Sequence, residues 1–160
     1  MKRVSVKCVV LCVVLSIGSM ASAATWNGGA GVDLPYWDVA GNWTDGTAPT
    51  GGTIDIGPAI NVPDGVEPWA CVIDDETEEN LGAPLDLSRF RVGGDDAPGI
   101  LTMTGGSLIT TYFRVGRSSG QVGIINLSGG TMSTKTSPLR DVEIGKDGIG
   151  TLNMTSFSGT

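Results

Sequence analysis

The sequence predicts an all-β fold built as a parallel β-helix (β-solenoid), with coils of about 23–29 residues and an aromatic N-terminal cap. Three observations predict it. Apolar and polar residues alternate over four to six positions and are then broken by glycine, which is typical of short strands and tight turns. No stretch has a convincing helical period. One three-part unit returns along the second half of the chain at spacings in the twenties, which indicates stacked supersecondary units.

Residues 1–23 have the order of regions found in a secretory signal peptide. Basic residues, including Lys2 and Arg3, precede an apolar run from Val9 to Ile17, and small residues follow as far as Ala23. The apolar run is shorter than the ~20 residues that span a bilayer. We therefore expect cleavage after Ala23 and an extracellular or cell-surface location, with no transmembrane segment in the mature chain.

The remaining chain is strongly acidic and has a single cysteine. Three of the ten basic residues lie before residue 24, so seven basic residues face seventeen acidic ones, a formal charge of −10. Such a surface repels phosphate backbones, and nucleic acid is not an expected partner. Cys71 is the one cysteine after residue 23, which predicts no internal disulfide and a small buried apolar side chain rather than a nucleophile.

Residues 24–65 are predicted to form the aromatic, glycine-rich cap and a degenerate first coil at Ile54–Gly57. The first coil of a solenoid exposes a sheet edge that needs a cover. The sequence offers Trp26, Trp37 and Trp43 for this purpose, together with Tyr36. The same three tryptophans have a second interpretation as a glycan contact, because an indole ring offers a flat apolar face with a polar handle.

Residues 66–88 are predicted to be an acidic loop region. Its carboxylates are dense enough to form a solvated turn and, as an alternative, to supply several ligands to calcium. The calcium hypothesis depends on charge density alone, and the spacing of an EF-hand loop is not met. The sequence therefore predicts no metal and no cofactor. The residues concerned are Asp74, Asp75, Glu76, Glu78 and Glu79.

Residues 89–160 carry the repeats. The first part of each unit reads apolar, charged, apolar, glycine, and the second part alternates apolar and polar residues. The first parts are Phe90–Gly93, Phe113–Gly116 and Val142–Gly145, and the second parts are Leu101–Thr104, Ile125–Ser128 and Leu152–Thr155. In stacked coils Leu101 would lie over Ile125 and Ile125 over Leu152. The intervening Gly105–Gly106 and Gly129–Gly130 are interpreted as corners, with an antiparallel hairpin as the rival interpretation.

Few residues suggest chemistry. The chain has no histidine, which excludes imidazole general-base catalysis. The carboxylate pairs Asp95–Asp96 and Asp141–Glu143 are the remaining catalytic option, and a solvated strand face explains them as well. Arg91 and Arg114 occupy equivalent outward positions with Glu143 third. This row predicts either ion pairs with neighbouring acids or a contact strip for anionic polysaccharide.

The segments from "TWNGG" through "TGGTIDI" to "LTMTGGSLITTYFRVGRSSGQVGIINLSGGTM" and "DVEIGKDGIGTLNMT" resemble exported bacterial β-strand repeat proteins. Such repeats occur in autotransporter-like passenger stalks and in surface proteins that carry a sorting signal. The resemblance implies a right-handed parallel β-helix, secretion and a surface role. Because three coils alone are marginal and the last repeat is incomplete, we also expect a longer parent chain.

The expected function is that of a non-enzymatic structural or adhesive segment of a surface or secreted protein, with surface glycans or other surface proteins as partners. Two alternatives stay open. One is a glycan-binding module that uses the tryptophans, and the other is a fragment of a carbohydrate-active β-helix lyase or hydrolase.

Overall fold

The computed structural model of the chain describes residues 23–58, 70–93, 98–135 and 142–155. Residues 1–22 of the predicted signal peptide, and the acids Asp95, Asp96 and Asp141, lie outside the described residues. In chain order the elements are β1 (Ala24–Trp26), a 3₁₀ helix (Ala40–Asn42), β2 (Gly51–Ile56), β3 (Cys71–Ile73), α1 (Thr77–Leu81), β4 (Leu85–Val92), β5 (Gly99–Met103), β6 (Ser107–Thr110), β7 (Phe113–Val115), β8 (Val122–Leu127), β9 (Thr131–Thr134), β10 (Val142–Ile144) and β11 (Ile149–Met154).

These strands form a β-solenoid of about four turns, as the sequence predicts. All pairings between the named strands are parallel. One sheet follows the order β1-β2-β4-β6-β9, and β7 joins it between β4 and β10. The second sheet has the order β11-β8-β5-β3. Each strand thus pairs with its equivalent one coil away, which is the arrangement that a repeat in the twenties predicts.

Alternation along each strand places one set of side chains inside the solenoid. Because equivalent strands pair in register, the inward side chains line up in apolar columns that run through the coils. One column contains Ala24, Ile54, Phe90, Phe113 and Val142. A second contains Cys71, Leu101, Ile125 and Leu152. The predicted stacking of Leu101, Ile125 and Leu152 is therefore confirmed.

The glycine pairs are corners between the two sheets. β5 and β6 belong to different sheets, and so do β8 and β9, so the hairpin interpretation is wrong. The second glycine of each pair has a positive φ, 68° at Gly106 and 76° at Gly130. An added Cβ at Gly129 would lie 2.1 Å from the carbonyl oxygen of Thr104. These turns therefore need glycine both for its conformation and for the close approach of the coil above.

The segment 66–88 is not a loop throughout. Its described part contains β3, α1 and the first half of β4. β3 pairs with β5 through Cys71 and Leu101, because its short apolar alternation fits the same column. α1 follows β3 at one corner of the solenoid. In the next coil the equivalent corner, after β5, is formed by Gly105–Gly106. The prediction failed there because a strand of three residues gives almost no periodic signal.

Residues 27–50 cover the N-terminal ends of both sheets and are called the N-terminal cap below. Thr44 donates its N–H to the carbonyl of Thr25 at 3.0 Å, which pairs the outer edge of β1. Trp37 likewise donates to the carbonyl of Val72 at 2.8 Å, which pairs the outer edge of β3. The cap therefore satisfies backbone groups that a first coil would otherwise leave open.

Candidate functional site

A row of charged side chains, called the charged row below, lies on the outside of the first sheet. It consists of the outward residues at one register position of four successive strands, and these are Asp55, Arg91, Arg114 and Glu143. Successive parallel strands lie ~4.8 Å apart, so neighbouring members of the charged row are within reach of one another.

The charged row pairs largely with itself. Both carboxylate oxygens of Asp55 accept hydrogen bonds from Arg91, through Nε and Nη2. Glu143 receives three cations: Arg114 Nε lies 2.8 Å and Arg117 Nε 2.7 Å from its Oε2, and Lys146 Nζ lies 2.9 Å from its Oε1. The interpretation of the row as ion pairs with neighbouring acids is confirmed.

Glu143 is the electrostatic centre of the row. Its side chain is only 12% exposed, and that of Arg114 is 13% exposed. The hydrogen bond from Lys146, followed by the charges of Arg117 and Arg114, lowers the pKa of Glu143 below its ordinary value. The carboxylate is therefore held ionised, which suits an ion-pair network and not a general acid. The proposed pairing with Asp141 lies outside the described residues.

Tyr112, which the repeat pattern does not indicate, contacts one arginine of the charged row and one arginine outside it. The guanidinium carbons of Arg89 and Arg114 lie 5.3 and 5.6 Å from the centre of the Tyr112 ring. A cation over an aromatic face is attracted by the ring quadrupole. Tyr112 immediately precedes the repeated unit at Phe113 and lies two residues before Arg114 in the sequence, whereas the fold brings Arg89 to its ring.

A surface cavity of about 210 Å³ opens beside the charged row. Three arginines, Arg91, Arg114 and Arg117, contribute to its lining, together with Asp55 and the uncharged donors Ser118 and Gln121. Guanidinium, hydroxyl and amide groups are the donors that bind carboxylates or sugar hydroxyls. The cavity thus has the chemistry of a small anion or saccharide contact, although its arginines already have carboxylate partners.

The tryptophans do not present a sugar-stacking platform. Trp26 and Trp37 are fully buried and Trp43 is 3% exposed, so none of them offers a ring face to solvent. The Trp37 and Trp43 rings pack edge to face at 4.7 Å, and Trp43 Nε1 donates to the carbonyl of Trp37 at 2.7 Å. The glycan-contact interpretation of these three residues is therefore wrong, because they pack inside the capped end.

The acidic cluster holds a corner of the solenoid. Asp74 Oδ1 accepts hydrogen bonds from the N–H groups of Glu76 and Thr77, so it holds the turn that leads into α1. Asp75 Oδ1 accepts from the N–H of Gly106 at 2.9 Å, and Glu78 Oε1 accepts from that of Ser107 at 3.0 Å. Among the described residues, no group of three or more acidic, cysteine or histidine side chains could hold a metal ion.

Cys71 lies within the second apolar column and is fully buried. Burial raises the pKa of its thiol well above the ordinary value, and the negative charge of Asp38 adds to the effect. A neutral buried thiol is a packing group, as the sequence predicts.

Comparisons with protein-family models, with curated proteins and with solved structures give no match to this chain. The described residues contain no helix that is long and apolar enough to cross a membrane. Fold and site together define a class, a parallel β-solenoid whose outer charges are paired along the coil axis.

Proposed function

We propose that the chain is an exported, non-enzymatic structural or adhesive β-solenoid segment of a bacterial surface or secreted protein. The observation that carries the proposal is the continuity of the apolar columns through every described coil. In such a molecule each coil adds one strand spacing to a rod and repeats the same outer register position. The length of the solenoid and its regular surface would then provide the structural or adhesive function.

The contacts of the charged row also favour a structural role. Arg91 bridges to Asp55 on the preceding coil, and Arg114 bridges to Glu143 on the following coil. Ion pairs that join successive coils reinforce the stack from outside while the columns hold it from inside. Charges used in this way are not converging on a reacting group, as a catalytic pair would.

Export is supported by the order of regions in residues 1–23 and by the position of the first described strand. β1 starts at Ala24, immediately after the predicted cleavage position, and Ala24 heads an apolar column. Removal of residues 1–23 would leave every named strand intact. The proposed location is extracellular or at the cell surface, in keeping with the autotransporter-like repeat proteins that the sequence resembles.

The proposal is tested by expressing the chain in a bacterial host and sequencing the exported product, which should begin at Ala24. The purified product should release no reducing or unsaturated sugar from acidic or neutral polysaccharides. A product that stays inside the cells and retains residues 1–23 would contradict export. Sugar release that disappears in Glu143→Gln but persists in the remote control Asp86→Asn would contradict the non-enzymatic role.

A contact with anionic polysaccharide is the second candidate, and the arginine-lined cavity favours it. If this contact exists, polygalacturonate should bind the chain, and Arg117→Gln should weaken binding more than Lys135→Gln does. Both variants remove one positive charge from an ion pair, but Lys135 pairs with Asp86 outside the cavity. Equal weakening by the two variants would indicate non-specific attraction only.

A further inference from the structure

The strands of the second sheet contain no charged residue, in contrast to those of the first sheet. β3, β5, β8 and β11 consist only of apolar residues, glycine, threonine and asparagine, although 17% of the whole chain is charged. The outward side of the second sheet is called the neutral face below. The described strands of the first sheet contain the charged residues Asp55, Asp86, Arg89, Arg91, Arg114 and Glu143. The two faces of the solenoid therefore meet solvent with different chemistry.

Polar side chains of the neutral face form a row that runs along the solenoid axis. Thr102, Asn126 and Asn153 occupy one register position in β5, β8 and β11. Asn153 Nδ2 donates to Asn126 Oδ1 at 2.8 Å, and Asn126 Nδ2 donates to Thr102 Oγ1 at 3.5 Å. An amide has two donor hydrogens and an acceptor oxygen with two lone pairs. The row therefore fixes the Asn126 amide in place and leaves one of its hydrogens and one of its lone pairs unused.

Apolar and aromatic side chains lie beside this polar row. Ile100 and Ile124 occupy the outward register position two residues earlier in β5 and β8, and both are half-buried. Tyr36 of the N-terminal cap lies in parallel register with Val72, and Val72 is in register with Thr102, so Tyr36 continues the row. Tyr36 is 38% exposed, and it provides the accessible ring that the buried tryptophans lack. A contiguous, partly apolar surface of this kind is typical of an interaction site.

We propose that the neutral face binds an extended, uncharged β-linked polysaccharide that lies along the solenoid axis. The hydroxyl groups of a sugar ring exchange hydrogen bonds with amides and hydroxyls, and its C–H face packs on apolar and aromatic side chains. Sugar rings in such a chain recur at a spacing close to the ~4.8 Å between parallel strands, so successive rings meet successive coils. This proposal names a partner class for the adhesive role proposed above and rests on that role.

A second copy of the chain fits the neutral face less well. Four strands of up to six residues cover about 400 Å², at ~4.8 Å between strands and ~3.3 Å per residue. A stable dimer buries about 800 Å² on each partner. The chain also has a net charge of −7, so two copies repel one another, and an anionic polymer would meet the same repulsion on a face whose strands offer no cation. An uncharged polymer meets no such repulsion, and its contacts add up along its length.

The test measures how much of the full chain binds to microcrystalline cellulose, with cellohexaose as a soluble probe. Ile124→Lys places a charge on the neutral face, and Ile109→Lys makes the same change at a half-buried outward position of β6 in the first sheet. Ile124→Lys should weaken binding at least about tenfold, whereas Ile109→Lys should change it less than about twofold. Binding should be the same at low and high salt, because no ion pair contributes to it.

A second pair of variants removes one aromatic ring from each face. Tyr36→Ala should weaken binding about fivefold, whereas Tyr112→Ala should leave it unchanged, because Tyr112 lies beside the arginines of the first sheet. Melting temperatures show which variants are folded. Tyr36→Ala changes an exposed side chain of the cap, so this pair decides the question if Ile124→Lys does not fold.

Four outcomes would overturn the proposal. The first is that the natural chain binds neither cellulose nor cellohexaose, and the second is that both members of a folded pair weaken binding equally. The third is sedimentation as a dimer that Ile124→Lys dissociates. The fourth is binding of polygalacturonate but not of cellulose, which would place the contact at the charged row. Sugar release or failed export would refute the proposed function, whereas loss of cellulose binding with export intact would refute this proposal alone.

Discussion

The two ends of the solenoid solve the problem of an open strand edge differently. At the N-terminal end, residues 27–50 fold back over both sheets and bury Trp37 and Trp43 against the first coils. At the other end, Val142, Ile144 and Met154 stay exposed in the last described coil. Strands at equivalent positions in the coil are therefore buried or exposed according to what lies next to them along the axis. Burial in this fold is a property of position in the stack as much as of residue type.

The largest effect is expected when side chains of the same apolar column are truncated at a buried position and at an exposed one. Phe90→Ala should lower the free energy of unfolding by about 3–5 kcal/mol, because Phe90 is fully buried between Phe113 and the ring of Trp37. Val142→Ala removes apolar atoms from the same column where they are largely exposed, and should cost less than about 0.5 kcal/mol. Denaturant titration of both variants measures the difference. Similar losses would show that position along the axis does not control burial energy.

A second comparison concerns two glycines in the corners between the two sheets. Gly120→Ala and Gly130→Ala both place a side chain at positive φ, 85° and 76°, which should cost about 1–2 kcal/mol. At Gly130 the new Cβ would also lie 2.3 Å from the carbonyl oxygen of Gly105, whereas nothing lies within 4 Å at Gly120. The overlap should add about 1–3 kcal/mol at Gly130. Thermal unfolding of both variants separates the two terms, and equal stability would contradict the close contact between coils.

The packing of the capped end can be tested by comparing the stability cost of replacing two of its indole groups. Trp43 Nε1 donates to the carbonyl of Trp37, whereas Trp26 Nε1 is buried and has no hydrogen-bond partner among the described residues. Trp43→Phe should therefore cost about 1–2 kcal/mol more than Trp26→Phe, because it alone leaves a buried carbonyl without its donor. Both substitutions remove the same atoms, so the volume term largely cancels. A larger loss for Trp26→Phe in urea titration would contradict this account of the cap.

The smallest expected effect is a pH dependence at Glu143, near the open end. The pKa of Glu143 is lowered in the folded chain from an ordinary value of 4.5, so its ion pairs stabilise the fold while the carboxylate is ionised. That contribution is complete above the ordinary value and is lost as the pH falls through the lower folded value. The stability advantage of the natural chain over Glu143→Gln should therefore be constant well above pH 4.5 and shrink as the pH is lowered below that value. An advantage independent of pH would show that the ion pairs contribute nothing measurable.

Much of the solenoid was predictable because its signal repeats. The stacking of Leu101, Ile125 and Leu152 follows from one alternating pattern returning three times, and Ile54–Gly57 was recognised as an earlier coil by the same pattern. β3 was missed because three residues followed by acids carry no glycine corner and no period. α1 was missed because it replaces a turn and is too short for a helical pattern.

The site was predictable only in outline. The equivalent positions of Arg91, Arg114 and Glu143 could be predicted from their place in the repeat. So could the interpretation that these side chains form ion pairs with neighbouring acids. The convergence of Arg117 and Lys146 on Glu143 could not, because both side chains reach it from turns between strands. The tryptophans were misinterpreted as an alternative sugar contact, since composition does not tell whether a ring is covered.

The N-terminal cap also gives the molecule a direction of unravelling. Each coil is held by its immediate neighbours, so local opening should begin in the described coil whose inward side chains are exposed and proceed one layer at a time. Amide hydrogens should accordingly exchange fastest in β10 and β11 and become steadily slower towards β2. Under a pulling force we expect β10 and β11 to detach first and the strands next to the N-terminal cap to detach last.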